Sequence, residues 1–446
     1  MEIVIIGGDA AGMSAASKIK RNRPEIKVTV LEKTEDVSYS ACGMPYNIAD
    51  QDREIEDLVV REASAFREKQ GINLLTGHKA THIDPSSKNV SGVLENGKSF
   101  EFSYDKLVVA TGGSPVVPEL PGFDLPGVKV LKSLDDGRKL KAYIKEKKVR
   151  KAVIIGMGYI GLEMCEALYE RSVSVSMVKP NPMLLPWMAE ELSSEVGKEL
   201  ALHNVTLHTG YGVEKITSVD DRIKVICKGL TLETDMAIVA MGIKPNSELA
   251  VKAGLETSIQ KAISVDKFLK TSDENIYAAG DCADAYHVVT GNKTWIPLAL
   301  RANRSGWAVA DNICGNPSEI PGIAGTAVFK VFDMDVARTG LTEKEAEKAR
   351  FEPVSVTIKS RSRAHAHPGS STIWVHMTGD KKTGRLIGVQ MVGREGVAHR
   401  INAAAVALHS QMTVQQFSET DLAYAPPFGP VWDPLLTASN QLLKKM

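Results

Sequence analysis

Two stretches of the chain share the same order of hydrophobic, small and polar residues. In each, a run of branched apolar residues precedes a glycine-rich turn and a helical stretch: Glu2–Ile6 precedes residues 7–12, and residues 152–155 precede residues 156–161. An apolar run bounded by glycines indicates a buried strand of a parallel sheet. The repeated pattern predicts two βα units in which backbone N–H groups at the start of the helix bind a pyrophosphate.

The first glycine turn predicts a phosphate-binding loop with Asp9 in the place of the middle glycine. A second apolar strand ends in Glu32, 20 residues after Gly12. This spacing is typical of an acid that binds ribose hydroxyls, and a solvated strand end is the alternative. The predicted contacts of the loop itself are Gly7, Gly8, Ala10, Ala11 and Gly12.

The second glycine turn is the stronger signal, because Gly156, Gly158 and Gly161 are all present. Its next strand ends in Lys179, where an acid would favour the ribose of NADH. Lys179 can pair with a 2′-phosphate, which would make NADPH usable, or it can be a surface lysine. Two such sites in one chain indicate a bound flavin dinucleotide and a diffusible nicotinamide dinucleotide.

Further along the chain, strands again lead into glycine turns. Residues 106–112 and 235–242 repeat the pattern, and residues 275–278 form a strand that delivers Asp281 to a helix start. Asp281 can accept hydrogen bonds from a ribityl chain or can cap the helix. Residues 73–105 alternate short strands with turns and predict a β-meander.

The pattern of apolar and polar residues changes at about residue 325. Apolar strand-like runs there, including residues 328–332, 373–377 and 386–392, predict antiparallel strands of an α+β domain. Residues 422–432 are aromatic and proline-rich, so we predict irregular structure and, because an apolar segment of this size is exposed, a partner surface.

Composition adds mainly exclusions. The 446 residues are 43% hydrophobic, with 54 basic and 54 acidic side chains, so no overall charge favours nucleic acid or an anionic membrane. The five cysteines form no framework pattern, which favours a reducing compartment. We see neither a signal peptide nor a membrane span, and we expect a cytoplasmic protein without a metal centre.

Cys42 is the candidate reaction centre. It lies among small and turn-forming residues in the segment 38–46, just before a predicted helix start, where a helix dipole would lower the pKa of a thiol. A lone cysteine is more often a small buried hydrophobe, but the two nucleotide motifs favour the reactive role. Since no C-x-x-C pair exists, Cys42 would act through a mixed disulfide, a persulfide or a sulfenic acid.

Basic residues follow the first glycine turn. Lys18 and Arg21 stand three residues apart, on one face of the predicted helix. They form either a solvated face or a site for a phosphorylated thiol substrate near Cys42.

Taken together, the chain resembles the single-cysteine pyridine nucleotide-disulfide oxidoreductases, most closely the coenzyme A-disulfide reductases and the NAD(P)H-dependent persulfide and polysulfide reductases. The motifs are residues 7–12, 38–46, 156–161, 278–283 and 423–427. The resemblance implies an α/β fold with two Rossmann-like domains and a C-terminal α+β dimerisation domain. It places FAD-binding segments at 1–113 and 244–324, an NAD(P)-binding domain at 114–243 and a dimerisation domain at 325–446.

The resemblance also implies roles for individual residues. Cys42 is the redox nucleophile, Tyr424 and Phe428 reach the Cys42 and flavin of a partner subunit, and Tyr159 gates the nicotinamide side. The implied FAD and nicotinamide contacts, beyond the glycine turns, are Glu32, Lys33, Cys42, Ala80, Gly112, Asp281, Ala299, Tyr424, Tyr159, Ile160, Lys179 and Gly242. The implied coenzyme A contacts are Ser14, Lys18, Arg21, Ser38, Lys69, Asn303 and Arg304.

The chain departs from the family pattern in two segments. Trp432 stands near the end of the proline segment, where relatives often carry a lysine, and His365 and His367 stand in a segment where relatives carry tyrosine. Losing the lysine weakens the coenzyme A assignment. The histidines, and His367 in particular, either donate a proton to a departing thiolate or are solvated loop residues.

The resulting hypothesis is that NAD(P)H reduces FAD and that the electrons pass to a disulfide between Cys42 and the substrate thiol. The substrate would be a small disulfide, persulfide or polysulfide of coenzyme A, and the enzyme a homodimer with shared active sites and no nucleic-acid or membrane partner. One rival is an NADH oxidase or peroxidase that uses a cysteine sulfenic acid, although Ala10 stands where those relatives have histidine. Another is a flavoprotein reductase of a protein electron carrier, with Cys42 merely structural.

Overall fold

The computed structural model describes residues 1–219 and 222–446. Its first part contains β1 to β8 and α1 to α3. Their bounds are β1 Glu2–Ile6, α1 Ala10–Asn22, β2 Lys27–Leu31, α2 Met44–Ala49, α3 Ala63–Gln70, β3 Asn73–Leu75, β4 His78–Asp84, β5 Asn89–Leu94, β6 Ser99–Ser103, β7 Lys106–Val109 and β8 Gly113–Pro115. Strands β4, β5 and β6 form the predicted antiparallel meander.

The second part contains the second glycine motif. Its elements are β9 Val128–Lys129, α4 Leu134–Glu146, β10 Lys151–Ile155, α5 Tyr159–Glu170, β11 Ser174–Lys179, α6 Glu190–Leu202, β12 Thr206–Thr209, β13 Val213–Val219, β14 Arg222–Cys227, β15 Leu230–Thr234, β16 Met236–Val239 and β17 Ile243–Pro245. Five of these strands form one parallel sheet in the order β12-β11-β10-β16-β9.

After β17 the chain returns to the first sheet. This third part contains α7 Glu248–Lys252, β18 Ile276–Ala278, β19 Ala285–Tyr286, β20 Lys293–Thr294 and α8 Ala299–Ile313. Strand β18 pairs in parallel with β7 and completes the order β18-β7-β1-β2-β3. The chain leaves the first nucleotide fold after β8 and returns to it after β17. These two strands pair with each other in antiparallel.

The C-terminal part is an antiparallel sheet packed with helices. Its elements are β21 Ala327–Val331, β22 Met334–Gly340, α9 Glu343–Lys348, β23 Pro353–Arg361, β24 Thr372–Asp380, β25 Leu386–Gly393, α10 Val397–His409, α11 Val414–Ser418 and α12 Pro434–Leu443. The strand order is β21-β22-β25-β24-β23. Together with the two parallel sheets, this sheet confirms the predicted fold class, while the domain boundaries in the sequence stay predictions.

Hydrophobic packing explains how the parts meet. One buried cluster fills the first sheet, and a second combines α2, the second parallel sheet and residues of β21 and β22. Met44 and Ile48, which follow Cys42, belong to this second cluster and are almost completely buried. Helix α2 therefore anchors the Cys42 segment against α5. Within the described residues, no helix is both long and apolar enough to cross a membrane.

Candidate active site

Cys42 lies in a short 3₁₀ helix, Ala41–Gly43, just before α2. Backbone hydrogen bonds from Ser40 N to Leu58 O, 2.8 Å, and from Gly43 N to Ser40 O, 3.0 Å, hold this turn. All five cysteines fall in the described part of the chain, and Cys42 alone among them is exposed. The turn therefore presents the only thiol of the five that a substrate reaches directly.

The electrostatic surroundings of Cys42 differ from the prediction. Although the Cys42 side chain is exposed, neighbouring residues partly desolvate its sulfur, and this raises the pKa of the thiol. The charge of Glu163 raises the pKa further, and Lys132 acts in the opposite direction. The prediction that a helix start lowers the pKa of Cys42 is therefore wrong.

Glu163 reaches the Cys42 segment from the second nucleotide fold. The hydroxyl of Tyr46 donates to its carboxylate over 3.1 Å. Burial is the main cause that raises the pKa of Glu163, and the hydrogen bond from Tyr46 opposes it. This contact joins α2 to α5 across 117 residues of sequence, so no local sequence pattern could predict it. It makes Tyr46 and Glu163 part of the site.

Lys132 is a second residue that the sequence did not single out. Its ammonium nitrogen lies 3.9 Å from a carboxylate oxygen of Asp281. Burial raises the pKa of Asp9 to about 6, although Lys132 lowers it. Lys132 therefore acts on Cys42, Asp9 and Asp281 together, and the position of its ammonium group sets the electrostatic balance among them.

Asp281 sits on a turn that neighbouring side chains hold firmly. It lies within the 3₁₀ helix Gly280–Cys282 rather than at a capping position. Trp295 Nε1 donates to its backbone oxygen over 2.8 Å. Ser305 accepts from Gly280 N over 3.0 Å, and the buried Arg301 donates to Gly280 O over 2.7 Å. The turn is thus fixed from α8.

The first glycine turn fits a dinucleotide. A Cβ on Gly12 would lie 1.9 Å from the oxygen of Gly7, so only glycine allows α1 to start this close to β1. The first-turn N–H groups of α1 lack partners within the helix and are available to a pyrophosphate. Glu32 accepts from Gly8 N over 2.7 Å and from Thr34 N over 2.9 Å, which fixes its carboxylate at the end of β2. FAD is a group that these residues can hold.

The remaining predicted FAD contacts occupy different surroundings. A Cβ on Gly112 would meet no heavy atom within 4 Å, so open space adjoins this turn. Ala80 lies at a register shift of β4, and Ala299 is the first residue of α8. Lys33 is exposed beside Glu32. Their contacts with a flavin stay predictions.

The second glycine turn repeats the close packing of the first. A Cβ on Gly156 would lie 2.2 Å from Ala240 O, and one on Gly161 would lie 2.7 Å from Gly156 O. Gly158 and Gly242, by contrast, border open space. Ile160 is exposed at the start of α5. These features fit a second dinucleotide.

Tyr159 and Lys179 both have protein partners at this second site. The ring of Tyr159 packs against Trp187 and Phe329, with centroid distances of 5.6 and 4.8 Å. Lys179 ends β11 as predicted, and its ammonium donates to Leu184 O over 3.0 Å. Burial lowers the pKa of Lys179. A 2′-phosphate would have to compete with that carbonyl.

The predicted coenzyme A contacts lie on several elements. Ser14 and Asn303 are brought together, with Ser14 Oγ donating to Asn303 Oδ1 over 2.7 Å. Lys18 instead forms an ion pair with Asp311 over 2.5 Å, so its charge is already balanced. Arg21 is exposed at the end of α1, and Arg304 is exposed on α8.

Two further predicted contacts lie apart from these helices. Ser38 adopts a left-handed backbone conformation, with φ of 48°, and accepts from Val60 N over 2.8 Å. Lys69 is exposed near the end of α3. Their joint contact with one ligand stays a prediction.

Tyr424 and His367 lie on neighbouring segments of the C-terminal part. The two segments are joined by a hydrogen bond from Ala364 N to Pro426 O, 3.0 Å. Arg400 supports the second segment by donating to Phe428 O over 2.8 Å. Residues 422–432 contain neither helix nor strand, and Phe428 is 78% exposed. The predicted irregular, exposed segment is confirmed.

Glu199, His203 and Asp333 bring possible metal ligands within 4.8 Å of one another. Arg394 already donates to both carboxylates, over 2.5 Å to Glu199 and 3.0 Å to Asp333. Because one guanidinium already pairs with both acids, we assign an ion-pair network between α6 and the C-terminal sheet.

Comparison with known proteins supports the chemistry of these parts. The chain is 41% identical over 446 residues to the NAD(P)H sulfur oxidoreductase (CoA-dependent) of Pyrococcus furiosus, covering 99% of each chain. It is 33% identical over 447 residues to an NADH oxidase of Methanocaldococcus jannaschii, covering 100% of this chain and 99% of that one.

The structure of an NAD-dependent persulfide reductase from A. fulgidus superimposes with a TM-score of 0.96 at 39% identity, covering 100% of this chain and 83% of that chain. Residues 1–306 match the family described as pyridine nucleotide-disulphide oxidoreductase, and residues 326–434 match its dimerisation domain. The chain therefore belongs to the pyridine nucleotide-disulphide oxidoreductase family.

Proposed function

We propose that this protein is an FAD-dependent NAD(P)H oxidoreductase that reduces a persulfide, polysulfide or disulfide of coenzyme A through Cys42. The observation that carries the proposal is the position of Cys42: it is exposed, while the other four cysteines of the described chain are buried. Its turn is fixed between the first nucleotide fold and α5 of the second, where Tyr46 meets Glu163. A thiol at this junction is suited to exchange with a sulfur substrate.

The two nucleotide folds hold separate cofactors in this proposal. The start of α1 and Glu32 would hold FAD, which would supply two-electron transfer between nicotinamide and sulfur. The turn of Gly156 to Gly161 binds NAD(P)H, and Lys179 is the residue that decides between NADH and NADPH. Lys132 and Asp281, 3.9 Å apart, fix the charge beside Cys42.

The protein contributes sulfur exchange to the reaction. The Cys42 thiolate attacks a disulfide of coenzyme A, forms a mixed disulfide with one coenzyme A and releases the other as thiolate. With a persulfide, attack on the inner sulfur, which is the thiol sulfur of coenzyme A itself, forms the same mixed disulfide and releases the outer sulfur as hydrosulfide. Two electrons that originate from NAD(P)H, and one proton, then cleave the mixed disulfide to the Cys42 thiolate and coenzyme A thiol.

Glu163 influences the first of these steps. Because its charge raises the pKa of Cys42, a protonated Glu163 favours the Cys42 thiolate. Burial raises the pKa of Glu163 itself, which increases the fraction that is protonated at a given pH. Tyr46 holds this carboxyl in place. The pair therefore adjusts the nucleophile without touching the substrate sulfur.

The functional unit in this proposal is a homodimer in the cytoplasm. The matched dimerisation domain and the exposed Tyr424 and Phe428 support a partner contact. Tyr424 and His367 of one protomer would complete the site at Cys42 of the other. Five free cysteines fit a reducing compartment.

The test is steady-state kinetics with coenzyme A disulfide and coenzyme A persulfide. Replacing Cys42→Ser is expected to abolish turnover of both while FAD stays bound. Cys227→Ser, at a buried thiol of β14, is the matched control and is expected to keep activity. Undiminished turnover by the Cys42 variant would contradict the proposal.

The NADH oxidase relative favours one second candidate, reduction of oxygen. In that reaction Cys42 would be oxidised to a sulfenic acid and reduced again. Oxygen uptake by the purified enzyme, compared with its turnover of coenzyme A persulfide, separates the two. Oxygen uptake that exceeds persulfide turnover at saturating substrate would favour the oxidase.

A further inference from the structure

Helices α1 and α8 run in parallel and touch closely. A Cβ on Gly306 would lie 2.3 Å from the oxygen of Ala11 and 2.9 Å from Cβ of Ser14, so glycine allows this approach. Each helix presents a row of side chains spaced four residues apart, which places them on one face. We call these rows the α1–α8 seam: Ser14, Lys18 and Asn22 on α1, and Asn303, Trp307 and Asp311 on α8.

The polar groups of the seam pair across the two helices. Asp311 Oδ2 accepts from Lys18 over 2.5 Å, and Asp311 Oδ1 accepts from Asn22 over 3.1 Å. Both side chains of the ion pair are largely covered, with 25% and 20% exposure. Lys18 is thus neutralised and held in place, which leaves it less available to a phosphate than its sequence position predicts.

Trp307 interrupts this pattern of paired polar groups. It is an aromatic side chain left 48% exposed, with the ammonium of Lys18 5.7 Å from its ring centroid. Aromatic side chains exposed in this way are suited to stacking on a nucleotide base. A held cation beside the ring adds polarity without adding net charge, because Asp311 balances it.

Two exposed arginines lie on the same two helices as the seam. Arg304 stands three residues before Trp307 on α8, Arg21 stands three residues after Lys18 on α1, and both are exposed. Both helices begin at the predicted FAD contacts and lead away from them, so Trp307 lies about 12 Å along α8 from Ala299 at 1.5 Å per residue. The seam therefore carries an exposed aromatic ring, and two exposed cations lie on the same helices outside the seam.

We propose that Trp307 is the surface on which the adenine of a coenzyme A substrate stacks, and that Asp311, by holding Lys18, biases the seam toward the base over the phosphates. This inference rests on the proposed function for its substrate. It adds two specificity-determining residues, one attractive and one that restrains a cation. Discrimination against sulfur substrates that lack a nucleotide follows from it.

The experiment compares the holoenzyme with Trp307→Ala and Trp307→Phe. The two substrates are coenzyme A disulfide and pantethine, which carries the same disulfide without the nucleotide. We expect the ratio of kcat/KM for coenzyme A disulfide to that for pantethine to fall about 10-fold in Trp307→Ala, the loss of one base-stacking contact. The change should appear in KM, and phenylalanine should restore part of it.

Binding of adenosine 3′,5′-bisphosphate, measured by titration calorimetry, tests the seam without turnover. The expected dissociation constant is about 10-fold higher for Trp307→Ala. Leu202→Ala, at an exposed apolar side chain on α6, is the control and should bind as the natural chain does. If the natural chain reduced neither disulfide, the proposed function would be wrong. The titration would still show whether Trp307 binds the nucleotide, because it does not depend on turnover.

Two results would overturn the proposal. One is equal affinity of Trp307→Ala and the natural chain for the bisphosphate. The other is a change of molecular mass in solution for Trp307→Ala, which would make the ring a subunit contact.

The role of Asp311 has its own test. Asp311→Asn removes the charge that holds Lys18, so inorganic pyrophosphate, which has no base, should bind this variant more tightly. Equal affinity for pyrophosphate in the two proteins would contradict the restraint.

Discussion

Replacing Asp9→Asn is expected to stabilise the folded protein at neutral pH. Burial raises the pKa of Asp9 from 3.8 to about 6 in the folded state, so the folded protein binds this proton more tightly than the unfolded chain does. The free energy of unfolding then falls as pH rises between these values. About 2 pH units correspond to about 3 kcal/mol, the penalty for an ionised Asp9 above pH 7.

Asparagine keeps the shape of the side chain and does not ionise. Its stabilising effect should therefore be near zero at pH 4, grow through pH 5 and 6 and level off at up to about 3 kcal/mol by pH 8. The measurement is urea unfolding of both proteins at these four pH values, followed by tryptophan fluorescence.

Asp84→Asn provides a control of opposite sign. Hydrogen bonds from Ser87 lower the pKa of Asp84, so removing this carboxylate should lower stability at neutral pH. If Asp9→Asn were instead less stable than the natural chain at pH 8, attraction to Lys132 would outweigh the burial of Asp9, and the reasoning would be refuted.

Three further predictions concern the site. Glu163→Gln removes a charge that raises the pKa of Cys42. The rate at which iodoacetamide alkylates Cys42 should therefore begin to rise at a lower pH than in the natural chain. Glu170→Gln, at the exposed end of α5, is the control and should leave the pH dependence of alkylation unchanged. Lys179→Ala should lower kcat/KM for NADPH about 10-fold and leave kcat/KM for NADH nearly unchanged, because the variant loses one charge-assisted hydrogen bond to a 2′-phosphate. Equal losses with both nucleotides would contradict this role of Lys179. Gly306→Ala places a Cβ 2.3 Å from a backbone oxygen of α1, so urea unfolding should show a loss of about 1–3 kcal/mol, and an unchanged midpoint would show that the helices adjust freely.

Local patterns of apolar residues and glycines predicted most of the fold. The strand Glu2–Ile6 lies where its apolar run predicted it, because a buried parallel strand has a nearly continuous run of apolar residues. The strand Ser174–Lys179 also lies where it was predicted, although serines interrupt its apolar residues. The long strand β23, Pro353–Arg361, was not singled out, since its exposed and half-buried positions give no comparable run.

The candidate site depends more on distant pairings. The sequence left Lys18 open between a solvated face and a phosphate contact, and it gave no sign of Asp311, which lies 293 residues further along the chain and pairs with it. Lys132 beside Asp281 and Tyr46 beside Glu163 are likewise pairs that only the packed folds bring together. The pKa of Cys42 was misjudged for the same reason, since Glu163 and burial act through tertiary structure.

The most direct test of the central claim is mass spectrometry of the oxidised enzyme after exposure to coenzyme A disulfide in the absence of NAD(P)H. The account predicts one coenzyme A per chain, in a disulfide on the peptide that contains Cys42, which NAD(P)H then releases. A coenzyme A adduct on Cys165, Cys227, Cys282 or Cys314, or an unmodified Cys42 in a preparation that reduces coenzyme A disulfide once NAD(P)H is added, would contradict it.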